Sequence, residues 1–214
     1  MKNIPFFTTE YGNASLILEE IPYRGEAYIR ILHSKPNCID ELLRECVGFC
    51  RAVGADHVFA ADHSDLKQYP LDNTVLELRG MIPESSSQLG CLWPVTQENV
   101  AHWRELYNEK MRSVPNAMTL KKADEKTILV ESGAYYIHRD GKLLGIGWLS
   151  GNKILAVAAL KKGMGETVLR TLASSAACNE FVLEVSSKNE KACRLYQRLG
   201  FVPVREITTW YKIF

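Results

Sequence analysis

Residues 154–201 read as strand, glycine-bearing loop, helix, strand and helix, and that succession leaves a chain few folds to choose from. Ile154-Leu155-Ala156-Val157-Ala158 is a short apolar run of the kind that forms a buried strand. Lys161-Lys162-Gly163-Met164-Gly165-Glu166 then opens a helix whose apolar side carries Leu169, Leu172 and Ala176. Phe181-Val182-Leu183-Glu184-Val185 is a second strand. Asn189 can cap a following helix with Ala192, Leu195, Tyr196 and Leu199 on its inward face. Gly200 can end that helix in the left-handed conformation, with Phe201 packing back on the last turn. A buried strand that feeds backbone amides into a helix start makes an anion site.

The pattern N-x-x-A-x-x-L-Y-x-x-x-G-F stands complete from Asn189 to Phe201. It resembles the C-terminal half of the GNAT (Gcn5-related N-acetyltransferase) superfamily. The upstream loop resembles that family's pyrophosphate loop, Q/R-x-x-G-x-G/A. Gly163 and Gly165 fit, Leu160 stands where glutamine or arginine is usual, and the link from Val157 to the glycines is shorter than the family's. The resemblance covers roughly residues 92–214. It implies an α/β protein of the α+β kind with a mixed sheet, the acyl-CoA N-acyltransferase (GNAT) fold, and acetyl-CoA as co-substrate.

The rest of the composition narrows the class. At 214 residues the chain lies between one domain and two, and 46% hydrophobic with 24% charged residues is ordinary globular usage. The 26 basic and 25 acidic residues leave a formal charge of +1 with no basic stripe, which argues against a nucleic-acid partner. Residues 1–7 lack the apolar core of a signal peptide and no apolar run is long enough to span a bilayer, so no membrane partner and a cytoplasmic location are expected. The six cysteines form no C-x-x-C pair and read as reduced thiols; no metal is expected.

The N-terminal segment has a pattern of its own. Residues 14–21 and 26–33 read as strands around Pro22-Tyr23-Arg24-Gly25, residues 39–53 as a helix ended by Gly54, and residues 57–61 and 75–78 as further strands. Strand, helix, strand echoes the organising stretch, as a partial repeat would. Here the strand-to-helix link is His33-Ser34-Lys35-Pro36-Asn37-Cys38, without a glycine pair, and Pro36 removes an amide that a phosphate would need. The expected organisation is a structural, degenerate GNAT-like half-domain over 1–83, a linker over 84–91, and the acetyltransferase domain over 92–214. Within the last, Thr96 can cap a helix running to about Arg112. A second short helix can follow Pro115, and Asp140-Gly141 marks a hairpin between strands 134–138 and 143–149.

The resemblance assigns the chemistry. Diphosphate would lie on the amides of Lys162, Gly163, Met164, Gly165 and Glu166, and pantetheine along the backbone of Leu155, Ala156, Val157 and Ala158, with the Val157 amide as oxyanion donor. Tyr196 matches the family tyrosine that protonates the departing thiolate. Asn189 either reaches the pantetheine or simply caps its helix. Glu184, in Leu183-Glu184-Val185, resembles the glutamate base of the peptide-alanine acetyltransferases, although alternation suits solvent equally well. Glu131 and His138 are fallback bases. Trp103, Tyr107, Tyr135, Tyr136 and Trp148 are candidate walls for an acceptor, or core. Gly145-Ile146-Gly147 lies inside a strand and is not read as a nucleotide loop. The expected activity is direct transfer of an acetyl group from acetyl-CoA to a primary amine of a small molecule or peptide, with a homodimer a possible assembly. The alternative is a non-catalytic acyl-CoA-binding or regulatory protein on the same fold.

Overall fold

The computed structural model describes residues 2–83 and 89–214. In chain order the elements are β1 (Ile4–Thr8), β2 (Gly12–Ile17), α1 (Ile21–Arg24), β3 (Glu26–Ser34), α2 (Ile39–Ala52) and β4 (His57–Ala61). β5 (Leu71–Met81), β6 (Cys91–Pro94), α3 (Val100–Met111) and α4 (Glu125–Glu131) follow. The chain continues through β7 (Ala134–Arg139), β8 (Lys142–Ser150), β9 (Lys153–Ala159), α5 (Gly165–Ala173), β10 (Glu180–Ser186), α6 (Glu190–Arg198) and β11 (Val202–Lys212). Two compact units result, residues 1–75 with 207–214 and residues 76–206. Of the expected linker, residues 84–88 lie outside the described residues, and Cys91 already begins β6.

In the first unit β1, β2 and β3 are successively antiparallel, and β4 lies parallel to β3. α2 covers them with Leu42, Leu43, Cys46 and Cys50, which meet Leu16, Ile29 and Val58 in one core. The short α1 replaces the expected turn: Pro22 is tolerated in its first turn, and Gly25, at φ 68°, closes it.

In the second unit β7, β8 and β9 are successively antiparallel, and β10 lies parallel to β9. The hairpin between β7 and β8 turns on Asp140 and Gly141, both at positive φ (51° and 69°), as a two-residue type I′ turn requires. One face of this sheet packs on α5 through Val168, Leu169 and Leu172, all fully buried. Trp103, Tyr107 and Ile128 of α3 and α4 cover the other face. α5 sits tight because β8 offers glycines beneath it. A Cβ on Gly147 would come 2.7 Å from Leu172, and one on Gly145 would collide with the Ala158 carbonyl. The G-x-G of β8 is thus a docking surface for a helix.

Several boundaries fall elsewhere than the sequence suggests: β2 ends at Ile17 and not at residue 21, β5 runs from Leu71 to Met81 and not over 75–78 alone, and the short helix expected after Pro115 forms at Glu125–Glu131. α3 starts at Val100, because the Asn99 side chain accepts the Thr96 N–H (2.9 Å) and folds residues 96–99 into a turn that precedes the helix. Ala176 lies beyond the end of α5 and is half-buried.

Candidate active site

The two units share a succession of elements but differ at one point. β3 and β4 pair over five consecutive rungs, from Glu26↔His57 to Arg30↔Ala61. β9 and β10 pair at two, Lys153↔Val182 and Ile154↔Leu183, and then part. At the parting β9 carries an extra residue, Leu155: Trp148 of β8 faces Ala156, whereas Leu149 faces Ile154. Such a bulge bends the strand that carries it.

The bulge also decides which backbone groups face the gap. Leu160 donates to the Leu144 carbonyl (2.8 Å), which makes that pair a hydrogen-bonded rung of β8 and β9. Antiparallel rungs alternate, so Ala158 and Ala156 also turn their N–H and C=O toward β8, while Val157 and Ala159 turn theirs away. On that side no strand rung among the described residues meets them. Of the expected Leu155–Ala158 segment, Val157 therefore presents its amide to the gap, Ala156 and Ala158 do not, and Leu155 is the bulged residue.

β9 runs directly into the glycine loop. Gly163 has φ 85°, and no atom lies within 4 Å of where its Cβ would be, so one face of the loop is open. The amides of Lys162, Gly163, Gly165 and Glu166 meet no acceptor among the described residues, as expected ahead of the first helical rung, where Val168 donates to Met164. The Met164 amide is the exception, since it donates to the Lys161 carbonyl (3.2 Å). The Glu166 carboxylate, which would oppose an anion here, is drawn along the helix to Arg170 (2.9 Å). Lys161 and Lys162 are exposed beside the loop.

α6 closes the other side. A Cβ on Gly165 would lie 3.1 Å from Leu195, so the first turn of α5 abuts the tyrosine helix, and glycine is what permits that approach. The Asn189 side chain accepts from the Ala192 amide (3.3 Å) and caps α6, leaving its Nδ2 without a partner among the described residues. Phe201 donates to the Tyr196 carbonyl (3.0 Å) and its ring packs 5.7 Å from the Tyr196 ring, while Gly200 takes φ 84°. Tyr196 is 7% exposed, and its hydroxyl makes no hydrogen bond with a described residue. Burial, with a smaller contribution from the Cys193 thiol, pushes its phenol well above the ordinary range.

Glu184 is exposed on β10 between buried Leu183 and Val185, one residue past the last rung shared with β9. Its Oε1 lies 2.6 Å from Nζ of Lys153. Glu131 is exposed at the end of α4, remote in sequence from the fork. The His138 Nδ1 is buried without a partner, and its ring sits against Trp93 (5.6 Å). Trp103, Tyr107, Tyr136 and Trp148 are all buried in the core beneath α3, so as placed they pack the protein interior. Trp103 donates to the Tyr135 carbonyl (3.1 Å), and burial pushes the Tyr136 phenol up to about 12. A cavity of about 270 Å³ lies at the other end of β8 and β9, lined by Gly133, Tyr135, Leu149, Gly151, Ser175, Ala176 and Ala177. Of the expected site residues only Tyr135 reaches it, and its lining holds no carboxylate, imidazole or amine.

A mixed sheet that forks between two parallel strands, with a helix N-terminus at the mouth, is the acyl-CoA N-acyltransferase architecture, and the chain has the GNAT fold. Similar structures include a GCN5-related N-acetyltransferase from Kribbella flavida (TM-score 0.55, 13% identity, 97% of this chain and 89% of that one). A GCN5-related N-acetyltransferase from Sphaerobacter thermophilus aligns with TM-score 0.55 and 13% identity over 94% of this chain and 75% of that one. A tandem GNAT protein from the clavulanic acid biosynthesis pathway aligns with TM-score 0.53 and 15% identity over 94% of this chain and 78% of that one. No protein-family model and no curated protein matches the sequence. Among the described residues no helix is long and apolar enough to cross a membrane.

Proposed function

We propose that the chain is an N-acetyltransferase that binds acetyl-CoA at the fork of β9 and β10 and passes its acetyl group directly to a primary amine. The observation that carries this reading is the fork itself: two parallel strands that part after two rungs and leave Val157 and Ala159 with unpaired main-chain groups, beside a loop of unpartnered amides. The residues present fit the group. An open positive-φ glycine, four free amides and a helix N-terminus suit a diphosphate, and a strand edge suits the amide-bearing pantetheine arm.

When bound, acetyl-CoA supplies an activated thioester. The chain's part is to hold and polarise it and to move two protons. The Val157 amide donates to the carbonyl oxygen on which charge develops. Glu184 takes a proton from the incoming ammonium, and Tyr196 gives its hydroxyl proton to the sulfur. In water a phenol (pKa about 10) is a weaker acid than a thiol (about 8.5), a mismatch of about 2 kcal/mol. The burial that raises the phenol also raises a nascent thiolate and so narrows the difference.

The test is thiol release from acetyl-CoA across a panel of small amines and amino-terminal peptides, since the acceptor can be either. Release with at least one acceptor supports the reading. One observation favours the rival, a non-catalytic protein that keeps the coenzyme A pocket: Glu184 is already occupied by Lys153. That reading predicts binding with no release across the whole panel. The first unit is proposed as structural, because its five-rung pairing of β3 and β4 leaves no gap to fill.

A further inference from the structure

We infer that Lys153 is itself an acetyl acceptor, a self-modification site built into the fork. The inference rests on the acetyltransferase reading above. Lys153 opens β9, and its Nζ lies 2.6 Å from Oε1 of Glu184, the group assigned to deprotonate an acceptor. Its ammonium therefore sits where a substrate ammonium must sit. Both side chains are close to half exposed (45% and 41%), and exposed pairs of this kind add little to stability, so folding alone gives no reason to keep an amine at this place.

Lys153 and Val157 share one strand, about 13 Å apart along β9 at the usual rise, less the shortening at the Leu155 bulge. Glu184 stands one residue past the last rung that β10 shares with β9, so the Lys153–Glu184 contact lies where the two strands part.

The step balances. Glu184 takes one proton from the Lys153 ammonium, and the free amine attacks the thioester carbonyl carbon. The N–C bond forms and the C–S bond breaks. Tyr196 protonates the departing sulfur and recovers a proton from the second N–H of the amine. Acetyl-lysine, the free thiol and one solvent proton result. Acetylated Lys153 has no charge with which to hold Glu184, so the modification frees the base for other amines.

The test is incubation of the full chain with deuteroacetyl-CoA, followed by peptide mass spectrometry. Lys153 should be labelled at least tenfold faster than exposed Lys161 and Lys162, and at least tenfold more slowly in E184Q. Unacetylated coenzyme A should protect Lys153, more than Lys188, from trace acetic anhydride, a readout that needs no turnover. Labelling of Lys153 no faster than that of the other lysines, or undiminished in E184Q, overturns the inference. Amine turnover by the wild-type chain with Lys153 unlabelled overturns this inference alone; neither turnover nor label removes the acetyltransferase reading with it.

Discussion

Replacing Tyr196 by Phe isolates proton donation from everything else the side chain does. The ring is 7% exposed and packs against Phe201, and Phe keeps that packing. The hydroxyl it removes makes no hydrogen bond with a described residue, so no donor or acceptor is orphaned, and stability at neutral pH should change by less than about 0.5 kcal/mol. Alkaline pH should separate the two proteins. The folded phenol is raised above its unfolded value, so the folded state keeps a proton that the unfolded state has lost. Stability is then fully present below the unfolded value near pH 10 and falls above it, by up to about 1.4 kcal/mol per pH unit for one group. Y196F should lack that share of the fall, as read by thermal melts from pH 8 to 11.5. In turnover, loss of a positioned acid costs about 10²- to 10⁴-fold, or roughly 3–5 kcal/mol, with KM and the Kd for coenzyme A unchanged. A kcat within twofold of wild type, alongside intact binding, would refute the role assigned to Tyr196.

Other substitutions probe the walls of the fork. Gly163→Ala places a methyl in open space at φ 85°, so its cost is backbone strain alone, about 1–2 kcal/mol by denaturant unfolding; a cost near zero would contradict the left-handed loop. Asn189→Ala should lose the cap and about 1 kcal/mol of stability. Asn189→Asp should keep the cap, so weaker coenzyme A binding in that variant, by calorimetry, would assign the free Nδ2 to the ligand, and unchanged binding would leave Asn189 a cap alone. Leu172→Ala, at a fully buried site where α5 meets β8, should cost about 2–5 kcal/mol in chemical denaturation; a loss under 1 kcal/mol would mean that α5 is not anchored there.

Local signals made much of this legible in advance. Asn189 and Gly200 bracket a helix at both ends, Asp140-Gly141 demands one turn type, and Val58–Ala61 is an unbroken apolar run in β4. β6 and β11 were not legible, since four residues ending in Pro94 carry no period and Pro203 interrupts the other. The fork was not legible either, because how many rungs two parallel strands share is set by packing and by a bulge at Leu155, not by their composition. The contact of Lys153 with Glu184 joins residues 31 apart in the chain, and no spacing rule foretells it. Of the aromatic residues offered as acceptor walls, Trp103, Tyr107, Tyr136 and Trp148 pack in the core between the sheet and α3 with α4, whereas Tyr135 lines the cavity at the other end of β8 and β9.

The central claim is that the opening between β9 and β10 receives coenzyme A and that the pairing of β3 and β4 admits none. Amide chemical-shift mapping of the full chain during titration with coenzyme A tests both halves at once. The account predicts one ligand per chain, with the largest shifts at Val157, Ala159, Gly163 and Gly165 and none along Ala27–Arg30. Saturation at two ligands, shifts centred on β3, or silent loop amides at saturating ligand would contradict it.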